Sequence, residues 1–181
     1  MKSIDMTNVQ EAGEFSRPTP GAYICGIYKA EDVSDKEYLK ITYDIVDGEF
    51  KGYYEEMRKN NPDWGWAGAY VKSYKESALP MFKRFCTAVS RSNGKFVFDG
   101  GKVNHDEKTL KGKKVGLLYR NKEWEYNDRH GWTTEAAGSD SIDNIREGKF
   151  RLLKDKPLKD KPVAVPVFTD VTDEDEGDLP F

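Results

Sequence analysis

Histidine and cysteine are scarce in this sequence, two of each among 181 residues. That scarcity removes most metal and nucleophile chemistry at the outset. His105 lies in Asn-His-Asp-Glu and His130 in Asp-Arg-His-Gly. Neither has a second His or Cys at ligand spacing, so no metal site is expected. Cys25 and Cys86 stand in apolar surroundings, Tyr-Ile-Cys-Gly-Ile and Arg-Phe-Cys-Thr-Ala, and read as buried, inert thiols. A Gly-Lys-Ser/Thr phosphate loop, a strand followed by G-x-G-x-x-G and a nucleophile elbow are all missing. The acidic run near residue 175 lacks the alternate-position ligands of a calcium loop. No catalytic residue and no cofactor is therefore assigned. Long apolar runs are missing too: no stretch approaches the ~20 residues that span a bilayer. The opening Met-Lys-Ser-Ile-Asp-Met-Thr has no apolar signal region. An intracellular protein without membrane association is expected.

What the chain does have is charge and flat side chains. Charged residues make up 34% and hydrophobic ones only 37%, so part of the chain is expected to lie outside any packed core. Aromatics reach 13%, led by ten Tyr and four Trp, which carry both a face and a polar handle. The net charge of −3 conceals an asymmetry. Residues 169–181 hold six acids and no base, which leaves 29 bases against 26 acids in the remainder, a body charge of +3. A mildly basic body joined to an acidic tail is compatible with a nucleic-acid partner.

Periodicity organises the body. Residues 1–19 form a flexible N-terminal arm that ends at Arg17-Pro18-Thr19-Pro20-Gly21. Residues 22–30 read as a strand. In 37–46, Leu39, Ile41, Tyr43 and Ile45 alternate with polar neighbours, the period of a half-buried strand. Asp47-Gly48 predicts a turn, with 50–57 returning as the hairpin partner. Residues 60–68 form a loop, and 69–74 a short strand or extended arm. A helix is expected over 77–90, capped by Ser77, with Pro80 in its first turn and Phe82, Phe85, Cys86 and Val89 on one face. Residues 95–98 read as a short strand or turn and 115–121 as a strand. A hairpin is expected around Asn127-Asp128 and a one-turn helix over 141–145. The domain is placed at 20–153, followed by a disordered linker and acidic tail over 154–181. The expected fold is mainly β (α+β), an OB-fold-like barrel with one central helix.

Sequence-tolerant binding of a single strand needs cations for phosphates and flat side chains for bases. Two stretches interleave them. One runs through Trp64, Trp66, Tyr70, Lys72, Tyr74 and Lys75; the other through Lys113, Lys114, Tyr119, Arg120, Lys122, Trp124, Tyr126, Arg129 and Trp132. The competing role for any of these aromatics is core packing, which strands favour on their own.

Residues 173–181 read Asp-Glu-Asp-Glu-Gly-Asp-Leu-Pro-Phe. This run resembles the C-terminal tip of bacterial and phage single-stranded-DNA-binding proteins. The resemblance implies that Asp175, Glu176, Asp178, Leu179, Pro180 and Phe181 dock on replication, recombination and repair proteins. Phe181 would anchor the peptide, and the acids would steer it to basic pockets. The body also resembles a family of small phage replication and recombination proteins. Pro20-Gly21-Ala22-Tyr23, the run from Val46 to Gly52, the run from Leu110 to Val115 and the run from Ile142 to Phe150 carry that likeness. It implies single-stranded-DNA binding on an OB-like domain in the cytoplasm of a bacterial host cell. The strands and stacking residues of the bacterial proteins do not align with this body, and homo-oligomerisation stays open. Two other readings remain: an interaction adaptor that uses the tail without touching DNA, and an unrecognised metal-dependent nuclease.

Overall fold

The computed structural model describes residues 16–63 and 65–158. Five strands, β1 (Gly21–Val33), β2 (Tyr38–Ile45), β3 (Ala69–Ser73), β4 (Lys114–Tyr126) and β5 (Arg129–Asp140), form one antiparallel sheet ordered β3-β2-β1-β4-β5. Three helices accompany it: α1 (Tyr53–Asn60), α2 (Leu79–Ser92) and α3 (Ile142–Arg146). The sheet is open, since no strand pairing joins β3 to β5 among the described residues. The architecture is thus mostly β with a few helices. No helix among the described residues is long and apolar enough to cross a membrane.

The alternation expected in β2 sets the core. Leu39, Ile41, Tyr43 and Ile45 are buried and face Cys25, Ile27 and Ala30 of β1 and Val115, Leu117 and Tyr119 of β4 in one apolar cluster. The helix expected over 77–90 is α2, with Pro80 in its first turn and Phe82, Phe85, Cys86, Ala88 and Val89 buried. Its first residues continue a 3-10 turn over Glu76–Ala78, and no side chain caps it, so Ser77 does not play that role. Ser141 does cap α3, accepting the Asn144 N–H at 3.3 Å. Asn127 and Asp128 both adopt positive φ (46° and 59°), the requirement of a two-residue hairpin turn, and join β4 to β5 directly.

One expectation about the elements is overturned: residues 50–57 do not return as a strand but lead into α1, a helix the sequence did not announce. The chain turns into α1 because Asp44, buried in β2, supplies what the helix start needs. Its carboxylate accepts the N–H of Tyr54 at 3.0 Å and of Glu55 at 2.9 Å, two donors that a helix leaves unpaired. Tyr53 and Tyr54 then pack on the core, and Glu55 pairs with Lys59 one turn on.

Candidate nucleic-acid interface

β1 pairs with β4 only from Gly21 to Gly26, which covers β4 as far as Tyr119. Past that point β4 and β5 continue as a two-stranded arm to the Asn127-Asp128 turn. Side chains alternate faces along a strand, so the register sorts the residues of the arm. Arg120, Lys122, Trp124 and Tyr126 point one way, joined by Arg129, which pairs with Tyr126. Trp132 pairs with Glu123 and so lies on the opposite face. Trp124, Tyr126 and Trp132 are 39%, 72% and 51% exposed. One face of the arm therefore carries cations and flat rings in a single row, with ring positions about 7 Å apart along the strand.

Glu135, opposite Arg120, organises the base of this row. It accepts from Arg120 at 2.8 Å and pairs with Lys122 at 3.2 Å. Burial pushes the Glu135 carboxyl up, but the bonds and charges of Arg120 and Lys122 outweigh it and hold it below its ordinary range. Lys156 was not anticipated here. The chain after β5 returns beside β4: Lys156 bridges to Lys122, donating its N–H to Asn121 and accepting from Glu123, both at 2.9 Å. A further cation thereby joins the row from a Lys/Asp/Pro-rich segment whose sequence carries no strand signal.

The structure separates the remaining sequence candidates. Tyr119 is 1% exposed and belongs to the core, where its hydroxyl bonds those of Tyr43 at 2.7 Å and Tyr54 at 3.0 Å. Tyr70 is likewise buried. Neither offers a face to a base. Tyr74 is half-buried, edge-on to Phe82, and donates to Asp32 at 2.7 Å. Lys75 is exposed after β3. Lys113 lies over the Phe96 ring at 4.4 Å, and Lys114 is exposed at the start of β4, at the opposite end from the arm. Lys72 is buried on the core side of β3, opposite Leu39. Trp64 and the tip residues Asp175, Glu176, Asp178, Leu179, Pro180 and Phe181 lie outside the described residues.

Trp66 has a fixed position. Its Nε1 donates to the Tyr43 carbonyl at 2.8 Å, and its ring meets Tyr28 edge-on at 5.2 Å. Gly68 makes this possible: a Cβ there would sit 2.3 Å from the Tyr43 carbonyl oxygen and 2.9 Å from the Trp66 Nε1. With Arg58 and Lys59 of α1, Tyr28 and Trp66 line a shallow cavity of about 510 Å³. This second aromatic and cationic patch was half missed. Tyr28 is exposed because the β1–β2 register shifts between Ile27 and Lys29, and α1 itself was unexpected.

Both thiols are buried, and burial raises them, Cys86 to about 12 and Cys25 well above its ordinary value. Neither supplies a thiolate at neutral pH. Among the described residues, no three His, Cys, Asp or Glu side chains gather as a metal-holding group. No protein-family model matches the chain, and no curated protein sequence does.

Proposed function

We propose that this protein binds single-stranded DNA without sequence preference, in phage or prophage replication and recombination, and recruits partner proteins through its C-terminal tip. The observation that carries the reading is the row Arg120, Lys122, Trp124, Tyr126 and Arg129 on one face of the arm. Stacking contributes roughly 1–3 kcal/mol per base and accepts any base, because every base has a π-face. Phosphates follow the cations, so affinity falls with salt. The strand order β3-β2-β1-β4-β5, with α2 inserted between β3 and β4, supports reading the body as a partly open OB-like barrel. In that reading the arm is the long β4–β5 loop region that such barrels use to hold oligonucleotides. Docking by Asp178-Leu179-Pro180-Phe181 rests on the sequence of the tip.

Anisotropy of a labelled oligo-dT at several salt concentrations tests this. Saturable binding that weakens with salt and exceeds duplex binding is expected. Binding to neither nucleic acid would favour the adaptor reading, which has an observation of its own. An apolar groove of about 1070 Å³ runs between α2 and residues 97–107, with Leu79, Phe82, Val97 and Phe98 among its walls. Leu79 and Val97 are exposed there.

A further inference from the structure

Four aromatic rings among the described residues are exposed, and three of them, Trp124, Tyr126 and Trp132, belong to the arm. The fourth is Tyr28, 43% exposed, on the part of β1 beyond its pairing with β4. Its direction is set by the backbone. Ile27 is buried in the core opposite Tyr43, and Lys29 pairs with Thr42, so Tyr28 is the extra residue of a bulge. A bulge re-aims a side chain at the expense of ladder bonds, and here it turns a large ring to solvent.

Tyr28 and Trp66 form a corner rather than a flat patch. Their rings stand at 69° with 5.2 Å between centroids. The Nε1 bond to the Tyr43 carbonyl fixes the indole before any ligand arrives, which spares the cost of ordering it. Arg58 and Lys59, both exposed, flank the corner, and Pro62 closes it. Glu55 lines the cavity too, but Lys59 pairs with it at 3.0 Å, which leaves the rim one positive charge in excess. The volume of about 510 Å³ lies within the range of small-ligand sites. Cations in the last turn of α1 also suit the helix dipole. That accounts for Arg58 and Lys59, but not for two rings set at an angle beside them.

We propose that the Tyr28–Trp66 corner takes one nucleotide of the bound strand, its base on the Tyr28 ring with an edge toward Trp66 and its phosphate at Arg58. The corner rests on the single-strand reading above, but it is a contact separate from the arm. Gly21 pairs with Tyr119 at the root of the arm, and seven residues of β1 lead from Gly21 to Tyr28. That is about 23 Å, or roughly seven nucleotides at the ~3.4 Å spacing of a stacked strand and fewer in an extended one. One strand thus meets flat rings at two places, and α1, the helix that Asp44 caps, becomes part of the interface.

The test follows the Tyr28 ring and Trp66 indole N–H signals by NMR in the full-length protein. Oligo-dT is added to saturation, and then, in a separate titration, an abasic oligonucleotide of equal length. Oligo-dT is expected to shift both signals saturably, while the abasic strand, which keeps its phosphates, leaves the Tyr28 ring largely unmoved. In oligo-dT binding, Tyr28→Ala should cost about tenfold in affinity, within the range for stacking one base, and Tyr28→Phe should retain it. Arg58→Gln should lower the slope of log affinity against log salt by about 0.7, the share of one phosphate contact. If oligo-dT shifts Trp124 but leaves Tyr28 and Trp66 unmoved, the corner is wrong and the single-strand reading stands. Equal shifts of Tyr28 with the abasic strand would overturn the base contact. If oligo-dT shifts the corner but not Trp124, the corner stands and the arm falls. No binding of oligo-dT overturns both.

Discussion

Gly131 lies directly beneath the Trp124 indole: a Cβ at this position would sit 3.2–3.3 Å from three of its ring atoms. The two residues pair across β4 and β5, and the missing side chain lets the indole rest on the arm with its other face open. Trp124→Ala should weaken poly-dT binding by about 1–3 kcal/mol without changing the unfolding midpoint. Gly131→Val should weaken it in the same direction by lifting the ring. Fluorescence titration beside a urea melt checks both.

The three hydroxyls of Tyr43, Tyr54 and Tyr119 bond one another inside the core. Burial comes first among the causes that raise all three phenols. Tyr119→Phe removes the hydroxyl that the other two share, leaving them 3.4 Å apart. A loss of about 1–2 kcal/mol in urea unfolding is expected, with DNA affinity unchanged. An unchanged midpoint would contradict the core assignment of Tyr119.

Asp44 caps a helix ten residues away, and that helix carries Arg58 and Lys59. Asp44→Ala leaves the N–H groups of Tyr54 and Glu55 without their acceptor and should cost about 2–3 kcal/mol. Hydrogen exchange should show the loss concentrated in α1.

Lys72 sets a pH dependence whose sign can be worked out. Burial first, then Arg84 and Arg120, lower it to about 8 from 10.5. Below pH 8 the lysine is charged in both the folded and unfolded chain. Between 8 and 10.5 the folded chain has lost a proton that the unfolded chain keeps. Stability should therefore rise through that window, by up to about 3 kcal/mol. Thermal melts from pH 7 to 10 should show this rise, and Lys72→Met should abolish it and be more stable at pH 7.

Much of the body was legible because its signals are local. Leu39, Ile41, Tyr43 and Ile45 announce β2 by alternation alone, and Asn127-Asp128 marks its own hairpin. The arm was half legible. Period two already separates Arg120, Lys122, Trp124 and Tyr126 from Tyr119, since a shift of one residue changes the face. Only the fold shows that Tyr119 faces the core. α1 was hidden because its cap, Asp44, belongs to the preceding strand, while Asp47-Gly48 imitates a hairpin turn. The setting of Lys72 was out of reach of any local pattern. Burial of Lys72 over the Tyr70 ring is visible only when β3 lies beside β2 in the folded sheet.

The most direct test of the central claim is tryptophan fluorescence of the full chain titrated with poly-dT, in the wild type and in Trp124→Phe/Trp132→Phe. Strong quenching in the wild type, weakened by salt, absent with duplex DNA and mostly lost in the double variant, is the expected result. Quenching that survives intact in the double variant would remove the arm from the interface, and no quenching in the wild type would contradict stacking on single-stranded DNA altogether.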